Sequence, residues 1–469
     1  TTAAGFFEGI VATVYKEYNA ALARANALDF DDILMKAVRL LEQAAPVRDK
    51  YQDRFLHVLI DEYQDVNYAQ YQLADILSAK HRNITVRGDD DQTIYAWRGA
   101  DVSHMMRFSS DHPDAKVVTL AQNYRSTKKI LEAADAVVSH NTRRIGKALW
   151  TENPSGEPLD LFSSGNGKEE AHFVVETIAK TGRPPEEHAI LYRTNAQSRL
   201  FEEALAGRGM PYIIIGGVRF YERKEIKDLI AYLRLLINPA DEISWKRIVN
   251  TPPREIGKGS AAVIAEVCQQ EQLTPLAAGR TVLERDLLTA RGARALKGFL
   301  DLLEDLRLEM AEKEPAEFLT HLIRAIGYEE YLERDNPQEA ESRMENVDQL
   351  VSAVGEYAAG AEGIQEFLEH TALLSEVENT RGAGGVSLMT LHCAKGLEFP
   401  VVFMVGLEEN LFPHARSRDD ADEAEEERRL CYVGMTRARE RLVLTRSISR
   451  ELFGRSQFNE PSRFLEEIP

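Results

Sequence analysis

The 469 residues are 44% apolar and 28% charged with a net charge of −19, the make-up of an ordinary globular chain with length for about three domains and a large core. No run of about eighteen apolar residues and no charged-then-apolar leader occurs, which argues against a membrane span or secretion. Cys268, Cys393 and Cys431 lie far apart without CxxC spacing, as fits a reducing cytosol. The acidity does not exclude a polyanionic partner, because phosphate binding depends on local charge; residues 181–260 carry 13 Lys and Arg against 10 Asp and Glu.

In chain order, the spacing of Phe6, Ile10, Val14 and Tyr18 predicts a helix over 5–24, and Asp29 caps a second helix to about Glu42. Val58-Leu59-Ile60 then runs into Asp61-Glu62-Tyr63-Gln64-Asp65, the pattern of a buried parallel strand carrying carboxylates at its C-terminal end, where ligands sit in open α/β sheets. Asp61 there suits Mg²⁺ and Glu62 can take a proton from an attacking water; a solvated acidic turn is the bland alternative. A helix over 68–80 and a strand Ile84–Arg87 follow, ending in Gly88-Asp89-Asp90-Asp91-Gln92. The loop beyond holds Tyr95, Trp97 and Arg98, either core packing or exposed planes on which bases of single strands stack at about 1–3 kcal/mol each.

A second α/β layer is expected from a strand at Val117–Leu120, followed by Gln122-Asn123-Tyr124-Arg125-Ser126, with Ser126 capping a helix over 127–140. Arg125 is either a surface arginine or a cation that reaches a phosphate. Strand and helix alternate to a strand at Tyr212–Ile215. From Gly216-Gly217 the pattern turns helical to about residue 380 and closes at Arg381-Gly382-Ala383-Gly384-Gly385. Within it, Ile256-Gly257-Lys258-Gly259-Ser260 is either a phosphate-facing turn or an ordinary helix cap. The α/β pattern resumes with a strand at Val386–Leu391, a turn from His392 to Phe399 and a strand at Val401–Val405. The acidic run 419–427 fits solvated first turns of a helix, and Tyr432–Arg441, with Arg437, leads to a strand at Leu442–Thr445.

Together these boxes resemble, in order, those of the UvrD/PcrA/Rep group of superfamily 1 DNA helicases: Asp61–Asp65, Gly88–Ala100, Gln122–Ser126, Thr390–Phe399 and Tyr432–Arg439. The resemblance implies an α/β fold of two RecA-like parallel-sheet motor domains, the first incomplete, with an all-helical insertion. The expected divisions are 1–24 (end of a helical accessory domain), 25–116 (first motor), 117–216 with 384–446 (second motor), 217–383 (helical insertion) and 447–469 (C-terminal segment). The cofactors implied are ATP and Mg²⁺, with Asp61 as the metal carboxylate, Glu62 as the base and Gln92 sensing the γ-phosphate. Arg125 and Arg437 resemble the arginine fingers, Tyr124 the adenine-stacking tyrosine and Glu398 the ribose-binding glutamate. Tyr95, Trp97, Arg98, Arg193, Asn195, Thr390, His392 and His414 match contacts to single-stranded DNA, and Gly257, Lys258 and Gly259 a duplex-facing hairpin. The implied activity is 3′–5′ translocation on single-stranded DNA and unwinding at single-strand/duplex junctions, with repair or replication accessory proteins as partners and a cytoplasmic, nucleoid-associated location.

The departures are specific. No G-x-x-x-x-G-K-[ST] loop occurs in the 469 residues, so without its phosphate-cradling amides and lysine this polypeptide is expected to be an ATPase-inactive part of such a helicase, lacking the N-terminal half of its first motor. The alternative is a non-catalytic DNA- or partner-binding module built on a helicase body. Arg87 stands where the family usually has an apolar residue, Cys393 where serine is common and Asn410 where glycine is common.

Overall fold

A computed structural model of the protein describes residues 6–379, 384–418, 420–452 and 455–469. The chain forms two compact units: Thr1–Ala121 with Asn141–Ala148, and Gln122–His140 with Leu149–Pro469.

In the first unit the helix Phe6–Arg24 precedes Phe30–Gln43, whose free N-terminal amide at Asp32 donates to the Asp29 side chain at 2.7 Å. Strand β1 (Val58–Ile60) pairs in parallel with β2 (Ile84–Val86), Ile60 opposite Val86. The helix between them, Tyr68–Ser78, starts at a capping box in which Asn67 and Gln70 satisfy each other's amides. Residues 141–148 lie against the loop after β2. Arg144 forks onto Asp91 at 3.0 and 2.8 Å, Lys147 reaches Asp89 and Asp91, and the Ile145 amide donates to Asp90. Burial pushes the Asp91 carboxyl up, but the hydrogen bond from Arg144 and the Lys147 charge outweigh it and hold the group below its usual range.

The second unit is built on a sheet in the order β3 (Asp160–Asn166), β8 (Ala438–Leu452), β7 (Phe399–Met404), β4 (His188–Tyr192), β6 (Val386–Thr390), β5 (Tyr212–Ile214), all parallel, with β9 (Arg455–Phe458) antiparallel on β8. β4 is buried along its whole length, as a strand covered on both faces requires. The sheet's core includes Val174, Phe201, Leu388 and Phe403, whereas a separate core within 220–368 gathers Tyr232, Trp245, Phe299, Phe318 and Phe367 from the helices inserted between β5 and β6. The chain re-enters the sheet at Gly385, where a Cβ would stand 2.6 Å from the Pro211 backbone. Residues 381–383 of the expected glycine-rich boundary, like Asp419 of the acidic run, are outside the described residues.

Three expectations are corrected. Val117–Leu120 forms no strand: Val117, Val118 and Leu120 are exposed, and their backbone joins no ladder. Ser126 does not cap the following helix, Lys128–Val138; its hydroxyl donates instead to the Ala438 carbonyl at 2.6 Å, tying this loop to the start of β8. The last parallel strand runs past Thr445 to Leu452, because β3 and then β9 supply backbone partners that residue patterning alone does not reveal.

Among the inserted helices, Asp348 is buried with Glu345 and Glu329 nearby, and burial pushes its carboxyl up to about 7. The folded state therefore binds a proton that the unfolded chain releases near its ordinary value, so this group costs stability as the pH rises from about 4 to about 7. Urea unfolding of Asp348→Asn is expected to show that slope reduced and the protein more stable than the parent above pH 7; an unchanged slope would refute it.

Candidate functional site

The first unit presents its carboxylates at the C-terminal end of β1. Backbone bonds on both sides of the strand pair, Arg87 N to the Ile60 carbonyl at 2.8 Å and Tyr63 N to the Arg87 carbonyl at 2.9 Å, fix this corner. Glu62 is left-handed, φ +52°, a conformation non-glycine residues seldom adopt and which clusters at functional sites. Asp61 accepts the Glu62 amide at 2.9 Å and the Arg87 guanidinium at 2.9–3.0 Å. Glu62 Oε2 accepts from Gln64 Nε2 at 2.6 Å, while Gln64 Oε1 accepts the Asp89 amide at 3.0 Å. Gln64, fully buried, thereby ties the carboxylate of the first box to the backbone of the second. Sequence reasoning gives it no role; its one signal is an amide two residues after an acidic pair. Gly88 makes room for it, since a Cβ there would sit 2.6 Å from Gln64 Oε1.

Gln92 lies on the 3₁₀ turn Asp90–Gln92 and donates to Asp89 at 2.7 Å. Beyond it, Ala96–Arg98 forms another 3₁₀ turn closed by Gly99 at φ +82°. This turn leaves Trp97 66% exposed beside the half-buried Tyr95, with ring centroids 6.3 Å apart. The Arg98 side chain is outside the described part of the structure.

The second unit carries two clusters at opposite ends of its sheet. Next to the N-terminal ends of β7 and β8, Arg125 donates to Glu398 at 2.6 Å and to the Thr436 carbonyl at 3.2 Å. The Arg125 hydrogen bond holds the Glu398 carboxyl below its usual range. Asn123 accepts the amides of Arg125 and Ser126 and so shapes the loop that offers Tyr124, 78% exposed. Arg437 is buried; its guanidinium donates to the carbonyls of Val433 and Leu397 and to the Thr436 hydroxyl at 2.9–3.2 Å. Arg439, which the sequence reading passed over, stands 4.0 Å from Glu398 as a further cation.

At and beyond the C-terminal ends of β4, β6 and β7 lie Arg193 and Asn195, Thr390 and His392, and His414. Glu427, buried, joins the first and last of these: it accepts from Arg193 at 2.7–3.1 Å and from the His414 amide at 3.0 Å. Glu427 in the acidic run 419–427 is thus a buried structural clamp and not a solvated side chain. The Asn195 carbonyl is held by Arg223, and the Thr390 hydroxyl accepts the Cys393 amide; His392 is half-buried in the same turn. Gly257, Lys258 and Gly259 are not part of either cluster. They open the helix Lys258–Glu271 on the inserted helices, exposed, with nothing near either glycine's missing Cβ.

Two family models cover this arrangement: the UvrD/REP helicase N-terminal domain matches residues 3–113, and the UvrD-like helicase C-terminal domain matches residues 118–449. The chain belongs to the UvrD-like helicase family. It is 43% identical over 475 residues to the ATP-dependent DNA helicase PcrA of Staphylococcus epidermidis, a match covering 99% of this chain and 65% of that relative. The same identity holds over 478 residues with the Staphylococcus aureus PcrA, covering 100% and 65%. The chain thus spans about two thirds of the length of these curated relatives. The RecA-like α/β architecture of UvrD-like helicases agrees with the parallel sheet of the second unit. No described helix is long and apolar enough to cross a membrane.

Proposed function

We propose that this chain is the larger part of an ATP-driven DNA helicase that moves 3′ to 5′ on single-stranded DNA and unwinds at single-strand/duplex junctions in repair or replication, working in the cytoplasm at the nucleoid. The observation that carries the reading is the segregation in the second unit: a Tyr124–Arg125–Glu398–Arg437 cluster at one end of the sheet, an Arg193–Asn195–Thr390–His392–His414 cluster at the other. One end has an exposed ring, a carboxylate and guanidinium groups, the chemistry that receives a nucleotide. The other has polar and cationic groups over strand ends, suited to a nucleic-acid backbone.

In the first unit Asp61 supplies the hard oxygen donor that Mg²⁺ favours, and bound Mg²⁺ would neutralise phosphate charge. In the longer helicase Glu62, steadied by Gln64, would accept the proton of the attacking water, and Gln92 would sense the γ-phosphate. Trp97, Tyr95 and Arg98 hold the single strand by stacking and charge, while Gly257–Gly259 meet the duplex. The helical insertion is 217–383, within a second motor of 117–216 with 384–446 from which residues 141–148 depart to pack with the first unit. With no phosphate-cradling loop in its 469 residues, this polypeptide alone does not turn over ATP; DNA-stimulated hydrolysis by the purified chain would overturn that part of the reading.

The test is binding of a fluorescent oligo-dT strand, followed by anisotropy. Trp97→Ala is expected to weaken binding about 5- to 150-fold, the loss of one stacked base, with affinity falling as salt rises. Equal affinity for the variant and the parent would refute the stacking role.

A further inference from the structure

We propose that Arg87 is a built-in counter-cation for the metal carboxylate: its guanidinium occupies Asp61 and holds free divalent metal off the site. This rests on the reading of Asp61 as the metal ligand. Parallel pairing puts Ile60 opposite Val86, so residues 61 and 87 leave the two strands side by side. The Arg87 amide is bonded to the Ile60 carbonyl and its own carbonyl to Tyr63, which pins the backbone from which the side chain reaches across. One nitrogen, Nη1, then spans both carboxylate oxygens, at 3.0 Å to Oδ1 and 2.9 Å to Oδ2. A magnesium ion keeps several waters and is held by one or two carboxylates; here the available carboxylate already faces a positive charge, and an incoming dication must both displace it and approach it.

Both side chains are well exposed, 68% for Arg87 and 61% for Asp61. Exposed pairs are weak, so the guanidinium is a removable stopper, not a lock. An apolar residue at position 87 would leave Asp61 open to metal at all times. Arginine makes loading depend on something that draws the guanidinium away, and a polyphosphate anion has the charge and geometry to do so.

The probe is Mn²⁺, with the free ion followed by electron paramagnetic resonance on the 469-residue protein, compared with Arg87→Val, Arg87→Gln, and each of these three backgrounds carrying Asp61→Asn. The part of Mn²⁺ binding that Asp61→Asn removes is expected to tighten about two- to fivefold in both Arg87 variants, the size of an exposed ion pair. The difference is expected to shrink as added salt screens the pair. Equal Asp61-dependent affinity in parent and variants would overturn the counter-cation role while leaving Asp61 a metal ligand. No Asp61-dependent binding in either Arg87 variant would overturn the metal reading itself.

Discussion

Replacing Arg450 by methionine is expected to destabilise the second unit by about 3–5 kcal/mol, the cost of breaking a buried ion pair from one side. Arg450 lies on β8 with its Nε 2.8–3.0 Å from both Glu408 oxygens, and its Nη2 reaches Glu408 at 2.7 Å and also Glu170. Both glutamates are fully buried, so two negative charges share one cation. The deficit is met by fixed donors: Thr445 and the Gly406 amide on Glu170, Asn459 and the Ser447 amide on Glu408. Burial alone would lower the Arg450 pKa, yet the two carboxylates raise it above its ordinary value, so the cation stays charged. Without it, two like charges remain in low dielectric. The variant therefore keeps two buried carboxylates with no cation between them. Urea unfolding followed by circular dichroism measures this, and Glu170→Gln with Glu408→Gln in the same variant should restore much of the loss. A loss under about 1 kcal/mol would mean the network is not electrostatically coupled.

The second large effect concerns chemistry. In a helicase of the full length of the staphylococcal relatives that carries these residues, Glu62→Gln should lower DNA-stimulated ATP turnover by about 10²- to 10⁴-fold, the usual worth of a general base. Affinity for single-stranded DNA should stay the same. The amide keeps the size of the side chain and a hydrogen bond to Gln64 but cannot take a proton. Gln64→Leu should give a smaller loss of turnover, because the carboxylate remains while its 2.6 Å tether is gone. Turnover retained in Glu62→Gln would refute the base assignment.

What could be read from the chain follows from where each signal lies. β1 is a short branched apolar run and β4 and β6 are short, mainly apolar strands, each ended by a polar box; period and composition suffice to find them, but not to show that β1 leaves Leu59 75% exposed where a buried strand is expected. The Val117–Leu120 run has the same composition and makes no strand, because composition does not say whether a partner backbone is present. What the boxes do not reveal is the partner that each side chain reaches across the sequence. Glu427 meets Arg193 across 234 positions, and Arg125 meets Glu398 across 273. Nothing local marks Glu427 apart from its acidic neighbours, yet it alone among the described residues of that run lies buried beneath two candidate DNA contacts. Asn410 shows the converse: its φ of +69° explains why glycine suits that position.

The return of residues 141–148 to the first unit bears on how this molecule can be taken apart. The chain crosses the boundary between units after Ala121, after His140 and after Ala148, so a single cut leaves the halves covalently tied. A polypeptide begun at Gln122 would carry Arg144 and Lys147 away from Asp91, a buried acid whose charge they balance. Exchange of modules between relatives at this boundary therefore has to move an eight-residue strap together with the acidic turn it grips, making the two a single heritable part.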